Sequence, residues 1–299
     1  MNVAFFFEVL IGGLLAGVMY SLVALGFVLI YKASSVFNFA QGAMVFFAAL
    51  TFVSLLERGV PMWLALVITL AVMVVLGIAT ERVVLRPLVN QPPITLFMAT
   101  IGLTFFIEGF SQLIWGSQPH GLELGIADVP MEWLSQKANI NISQFDLFAA
   151  GVAGTLVAAL ALFFQYTRIG RALRAVADDH QAAMAVGIPL KNIWAIVWAV
   201  AGFVALVAGL MWGVRNGVQY ALTFVALKAL PVLILGGFES VPGAIVGGLI
   251  IGASEKLAEV YIGPYVGGGV EGWFAYVIAL VFLLFRPQGL FGEKIIDRV

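Results

Sequence analysis

The sequence predicts an all-α, polytopic membrane bundle, and three observations predict it. Only 10% of the 299 residues are charged, against about 25% in an ordinary soluble domain, so polar groups are too few to coat a globule. Hydrophobic residues make up 62% of the chain and mean hydropathy is +1.07. The apolar residues fall in repeated runs close to the ~20 residues that a helix needs to cross hydrocarbon. The short alternating segments of a transmembrane barrel are absent. A single transmembrane domain over 1–299 with eight or nine spans is expected.

In chain order, the first span covers 4–31, where Gly13 and Gly17 form a small-xxx-small pair suited to close helix packing. The start Met1-Asn2-Val3-Ala4 lacks the positive region of a cleavable signal, so this run is expected to remain as a span. A polar break follows at 34–42, then a short second span at 42–56. Pro61 is placed to open the third span, 61–80. Residues 81–93, with Glu81, Arg82, Arg86 and Pro92-Pro93, read as a loop before the fourth span at 94–115. The loop 116–143 holds Glu123, Asp128 and Glu132 but one basic residue, Lys137. Spans at 144–164 and 193–212 flank a charged island, 165–193. An apolar pair, 221–235 and 241–257, splits at Gly236-Gly237-Phe238-Glu239-Ser240, and each member either crosses or folds back. The last span is 270–285.

Basic residues in short loops set orientation. Four lie in the island (Arg168, Arg171, Arg174, Lys191), two in 81–86, and Arg286, Lys294 and Arg298 in the tail. The island, the 81–93 loop and the C-terminus are therefore expected in the cytoplasm, and 116–143 and the N-terminus outside. Phe37-Asn38-Phe39-Ala40-Gln41-Gly42-Ala43-Met44-Val45 aligns with Phe238-Glu239-Ser240-Val241-Pro242-Gly243-Ala244-Ile245-Val246 through shared Phe, Gly, Ala and Val. Duplicated halves with paired broken helices would give this pattern; so would chance in a chain rich in Gly and Ala.

The chemistry is bounded by what the chain lacks. A net charge of −1 with no basic tract argues against nucleic acid, and the absence of Cys removes disulfide and thiolate chemistry. None of the six lysines precedes Ser or Thr, so there is no phosphate-binding P-loop. His120 and His180 are the only histidines, no Gly-x-Ser-x-Gly occurs, and the carboxylates are scattered at span edges. The reading is a non-enzyme with no cofactor or metal. Energy for uphill movement would come from an ion gradient or from another chain.

Within the island, Gly170 and Gly187 bracket about one helix, roughly 24 Å long at 1.5 Å per residue. Ile169, Leu173, Val176, Ala183 and Met184 share one side; Arg171, Arg174, Asp178 and Gln181 share another. Arg174 and Asp178 are four apart and able to pair, in the order less favoured by the helix dipole. Numerous alanines would let a partner approach the backbone. A handle gripped from outside the bilayer and an ordinary solvated loop helix fit these residues equally.

Gly170-Arg171-Ala172, Arg174-Ala175-Val176, Ala182-Ala183 and Gly187-Ile188 resemble the cytoplasmic coupling segment of ABC importer permeases of the branched-chain amino acid type. Phe37-Asn38-Phe39-Ala40-Gln41-Gly42, the glycines Gly236-Gly237, Gly243 and Gly247-Gly248, and Arg286-Pro287-Gln288-Gly289-Leu290-Phe291-Gly292 resemble the same family, so the likeness covers the chain in order. The resemblance implies a permease subunit in a prokaryotic inner membrane. Its implied partners are two ABC ATPase subunits, a second permease subunit and an external substrate-binding protein. The implied ATPase-coupling residues are Gly170, Arg171, Arg174, Ala175, Asp178, Asp179, Ala182, Ala183, Gly187 and Ile188. The alternative is a self-sufficient secondary transporter or channel for urea or short amides.

Candidate path or gate residues come from polar groups in apolar surroundings. Asn38 and Gln41, beside Gly42, cannot face lipid with unsatisfied amides; they line a path or gate, or they glue helices together. Glu108, Lys228 and Glu239 are ionisable groups within or between spans, functional candidates by default. The bland alternative places Lys228 and Glu108 at headgroup level.

Overall fold

The computed structural model describes residues 3–88, 91–178 and 180–292. Among them no strand forms, only the isolated bridges His120–Val218 and Pro130–Ser143. The helices are α1 (Val3–Ser34), α2 (Gln41–Glu57), α3 (Met62–Ala79), α4 (Pro93–Trp115), α5 (Glu132–Ala138), α6 (Gln144–Tyr166), α7 (Arg168–Asp178), α8 (His180–Ala185), α9 (Leu190–Asn216), α10 (Val225–Gly236), α11 (Val241–Tyr261), α12 (Gly263–Val266) and α13 (Phe274–Phe285). Six helices among the described residues are long and apolar enough to cross a membrane: α1, α3 with its continuation, α4, α6, α9 and α11. Three shorter apolar helices, Gln41–Glu57, Tyr220–Gly236 and Phe274–Phe285, complete the set read from the sequence.

One expectation is corrected. Residues 81–88, read as part of a loop, continue α3 as a π-helical turn (Thr80–Leu85) and a 3-10 turn (Arg86–Leu88). The physical reason is a two-pronged ion pair: Arg86 donates to Glu81 from Nε at 2.9 Å and Nη2 at 2.7 Å. Buried Glu81 is neutralised inside the turn, so a charged sequence stays helical.

The chain divides into two compact units, each built from separated segments. The first comprises Met1–Leu25, Leu124–Ala159 and Leu227–Val299. Its seam is the expected glycine face of α1, matched by a second small-xxx-small pair on α11. A Cβ on Gly13 would meet the Gly252 carbonyl at 2.7 Å, and one on Gly17 the Gly248 carbonyl at 2.5 Å. The Ser21 hydroxyl lies 3.2 Å from the Ile245 oxygen. Numbers rise on one helix as they fall on the other, so the two run antiparallel. Close backbone approach replaces the hydrophobic drive that lipid removes. The tail motif closes α10: the amides of Leu290 and Phe291 donate to Leu235 and Gly236 at 2.7 and 3.2 Å. Those carbonyls would otherwise be orphaned at the helix end.

The second unit comprises Gly26–Glu123 and Leu160–Ala226. Its centre is α2, buried from Gln41 to Ser54. Helix α9 packs against it through Gly209, where a Cβ would stand 2.6 Å from the Val45 oxygen. Helix α3 crosses α9 antiparallel, with Gly77 on Trp198 and Gly202 on Met73. The two stretches aligned in the sequence fall one in each unit, and each enters a helix, at Gln41 and at Val241.

Candidate functional site

The charged island folds as α7 and α8, described on either side of Asp179, which lies outside the described residues together with the side chain of Asp178. Helix α6 ends at Tyr166, and the island's arginines close that end. Arg174 donates to the carbonyl oxygens of Phe164 at 2.6 Å and Gln165 at 3.2 Å; Arg171 donates to Tyr166 at 3.2 Å. Cations bonded to the last carbonyls also suit the helix dipole. The corner requires glycine: a Cβ on Gly170 would collide with the Phe164 oxygen, while the Gly170 amide donates to the Thr167 hydroxyl at 3.1 Å.

Leu173, Val176 and Ala183 are buried, and α7 and α8 pack against α9. The far end is different. Ala182, Ala185 and Gly187 are exposed, with Met184 51% and Val186 78% exposed. Gly187, at φ +86°, ends α8 in a Schellman turn: its amide bonds Met184 at 3.0 Å and the Ile188 amide bonds Ala183 at 3.0 Å. This turn holds an apolar tip out of the protein. Beside it, a cavity of about 680 Å³ is lined by Glu81, Arg86, Met184 and the stretch Gly187–Asn192 with Trp194.

Asn38 and Gln41 are buried and satisfied inside the protein. The Asn38 side chain accepts from the Ala40 amide at 3.1 Å and donates to Gln41 Oε1 at 3.2 Å. Gln41 donates to the Ala201 oxygen on α9 at 3.3 Å. Thr100 on α4 takes up the rest of the break, donating to the Phe37 oxygen at 3.1 Å and accepting from the Phe39 amide at 3.4 Å. Phe27, Phe37, Phe39 and Phe97 pack around it, the first pair stacked and the next two edge-to-face, with centroids 4.7–4.9 Å apart. Gly42 faces the Thr223 oxygen so closely that no Cβ fits. This geometry is that of a fixed joint between α1, α2, α4 and α9.

Glu108 is buried on α4 and accepts from the Tyr220 hydroxyl at 3.3 Å. Glu239 is exposed in the turn before α11, where the Ser240 side chain caps the helix through the Gly243 amide at 3.0 Å. Lys228 does not stand alone at an interface. Its Nζ lies 2.6 Å from Glu255 and 3.4 Å from Glu271, and Lys256 pairs with the second oxygen of Glu271 at 2.8 Å. Tyr20 of α1 joins, accepting from Lys228 and donating to Glu255, each at 3.5 Å. Burial pushes the Glu271 carboxyl up, but hydrogen bonding and charge from Lys256, then from Lys228, outweigh that and hold it below the ordinary carboxylate range. In the sequence Glu255 and Lys256 are only an adjacent charged pair towards the end of the apolar run 241–257, and Glu271 carries no signal, because nothing local links it to Lys228. Among the described residues, no group of three His, Cys, Asp or Glu is placed to hold a metal.

These features meet in a chain matched from residue 9 to residue 286 by the family described as branched-chain amino acid transport system, permease component. The chain belongs to that family. It is 27% identical over 306 residues to the high-affinity branched-chain amino acid transport system permease protein LivH of Escherichia coli (strain K12), covering 99% of this chain and 98% of that one. The corresponding permease protein BraD of Pseudomonas aeruginosa is 28% identical, with 98% of each chain covered. The probable branched-chain amino acid transport permease protein LivH of Methanocaldococcus jannaschii is 28% identical over 95% of this chain and 92% of that one. These relatives are transport permeases, not enzymes. This family member is a multi-pass inner-membrane permease component of an ABC importer and works with ATPase and binding-protein partners. The self-sufficient channel or secondary transporter is not favoured.

Proposed function

We propose that this permease carries branched-chain or closely related amino acids inward. In this reading two ATPase subunits drive it from below, a second permease subunit, identical or homologous, completes the path, and an external binding protein delivers cargo. The observation that carries the reading is the family match over residues 9–286, joined by the exposed apolar tip at Met184–Val186 between spans α6 and α9. Segment 165–193 and the C-terminus lie in the cytoplasm, as the basic residues in the short loops support.

The coupling set divides by task. Gly170, Arg171 and Arg174 fix the corner to α6, buried Ala183 seats α8, and Ala175, Ala182, Gly187 and Ile188 shape the surface that an ATPase groove receives. Asp178 and Asp179 add negative charge to the same segment of the sequence. A rigid corner matters because a push on α8 reaches α6 only if the joint does not bend. Asn38, Gln41 and Gly42 serve the path as a fixed joint that holds its shape, while Glu108, Lys228 and Glu239 are its ionisable groups. The test is uptake of radiolabelled leucine into proteoliposomes holding the complete complex. Accumulation should require both ATP and the binding protein; brisk accumulation by the permease alone would overturn the reading.

A further inference from the structure

The ionic group around Lys228 has a composition that a structural staple does not need. It holds two ammonium and two carboxylate groups, drawn from α10, α11 and the turn Val270–Gly272 before α13. One member, Glu255, is buried at 2% exposure, whereas Lys228, Glu271 and Lys256 keep 32–35% of their side chains open. Glu255 lies about 9 Å short of the end of α11, six residues at ~1.5 Å each. The site is therefore recessed from the helix ends, with three of its four charged side chains partly open.

The contacts are unequal in a way that selects one of them for exchange. Lys228–Glu255 at 2.6 Å and Lys256–Glu271 at 2.8 Å are tight. The link between the two pairs, Lys228–Glu271, is the long one at 3.4 Å. Parting it leaves Lys228 held by Glu255 and Glu271 held by Lys256, so each keeps a partner. An ammonium and a carboxylate then face one gap. A charge left without a partner beside buried Glu255 is costly, and the ligand that fills the gap without unbalancing it carries both signs on neighbouring atoms.

We propose that the Lys228–Glu271 gap is a binding site for the zwitterionic head of an α-amino acid. Lys228 takes the α-carboxylate and Glu271 the α-ammonium. Glu255, Lys256 and Tyr20 are positioning residues that hold those two in place. The inference rests on the amino-acid permease reading and deepens it: selection by paired charge excludes neutral amides and urea, whatever the side chain.

The test uses the purified complex of permease and ATPase subunits, without binding protein, and equilibrium binding of radiolabelled leucine by scintillation proximity. Saturable binding is expected. Unlabelled zwitterionic amino acids should compete, and isopentylamine and 4-methylvalerate, each carrying one of the two charges, should not. Lys228→Met and Glu271→Gln should each weaken binding at least about tenfold, and Lys228→Arg, which keeps the cation, should bind within about threefold of wild type. Equal competition by the singly charged analogues, unchanged binding in both charge-removing variants, or no saturable binding to the wild-type complex would each overturn the proposal. The competition arm needs no variant, so it stands even if a substitution prevents assembly. ATP-dependent leucine uptake by the wild-type complex with its binding protein separates the two readings. Uptake without this site sinks only the site, and no uptake sinks the permease reading beneath it.

Discussion

Arg174 closes the end of α6 by donating to the backbone oxygen of Phe164 across 2.6 Å. The same guanidinium reaches the Gln165 oxygen at 3.2 Å, so a residue that the sequence offers as a partner contact is spent on the protein's own corner. Replacing it with Ala should leave two carbonyls without that donor and destabilise the corner by about 1–3 kcal/mol. Hydrogen exchange across 164–176 should rise and ATP-driven uptake should fall. Arg174→Lys should rescue only in part, because a single ammonium lacks the planar fork. Unaltered exchange in Arg174→Ala would show that the cap is dispensable.

Val186 stands at the exposed tip beyond α8, 78% exposed on a turn that Gly187 holds in shape. Val186→Asp should place a charge in the apolar patch without disturbing the corner. The permease should still insert and purify, while its co-purification with ATPase subunits falls at least about tenfold. Full assembly of the variant complex would move the docking surface elsewhere.

The chain has no cysteine, so single introduced thiols report cleanly. Val186→Cys should react only with reagents that cross the membrane. Trp133→Cys, on exposed α5 within the loop 116–143, should react with impermeant external reagents. The opposite labelling would invert the orientation. His120 is a poor reporter for this face, because its ring is tied to Glu57 at 2.8 Å.

Asn38 joins Gln41 inside a joint closed by Thr100 and four phenylalanines. Asn38→Ala should remove its side-chain bonds to Ala40, Gln41 and Met44, leave partners buried, and lower the melting temperature by an amount corresponding to about 1–3 kcal/mol. Cargo preference should not change. An altered preference with unaltered melting would make Asn38 a cargo contact rather than part of the joint.

Glu271 is held ionised by two lysines, with its carboxyl below the ordinary range. A depressed folded-state value means that its ion pairs stabilise the protein above the unfolded carboxylate value, about 4.3. That stabilisation is lost as pH falls through the lower folded value. The melting-temperature difference between wild type and Glu271→Gln should be constant near neutrality and shrink on acidification below that range. A difference that grows at low pH would contradict the pairing.

Span positions were legible because they are local properties. The length of an apolar run and the charges at its ends fix where α3, α4, α6 and α9 begin and stop to within a few residues. Gly13 and Gly17 announced a seam through their spacing alone, and the motifs of the island and tail carried the family. The joint at 34–42 was half legible: its amides signalled a polar need, and the burial that met it came from Ala201, 160 residues from Gln41.

The sequence by itself determined an all-α membrane permease, its apolar helices and the segment that hangs between α6 and α9, because hydrophobic length and helical period are written in neighbouring residues. Tertiary structure alone decided what the charges do. Lys228 finds Glu255 at a separation of 27 residues and Glu271 at 43, and Arg174 turns back onto the helix before it. Charge pairing depends on which helices approach one another, and no periodicity within a single helix encodes its neighbour.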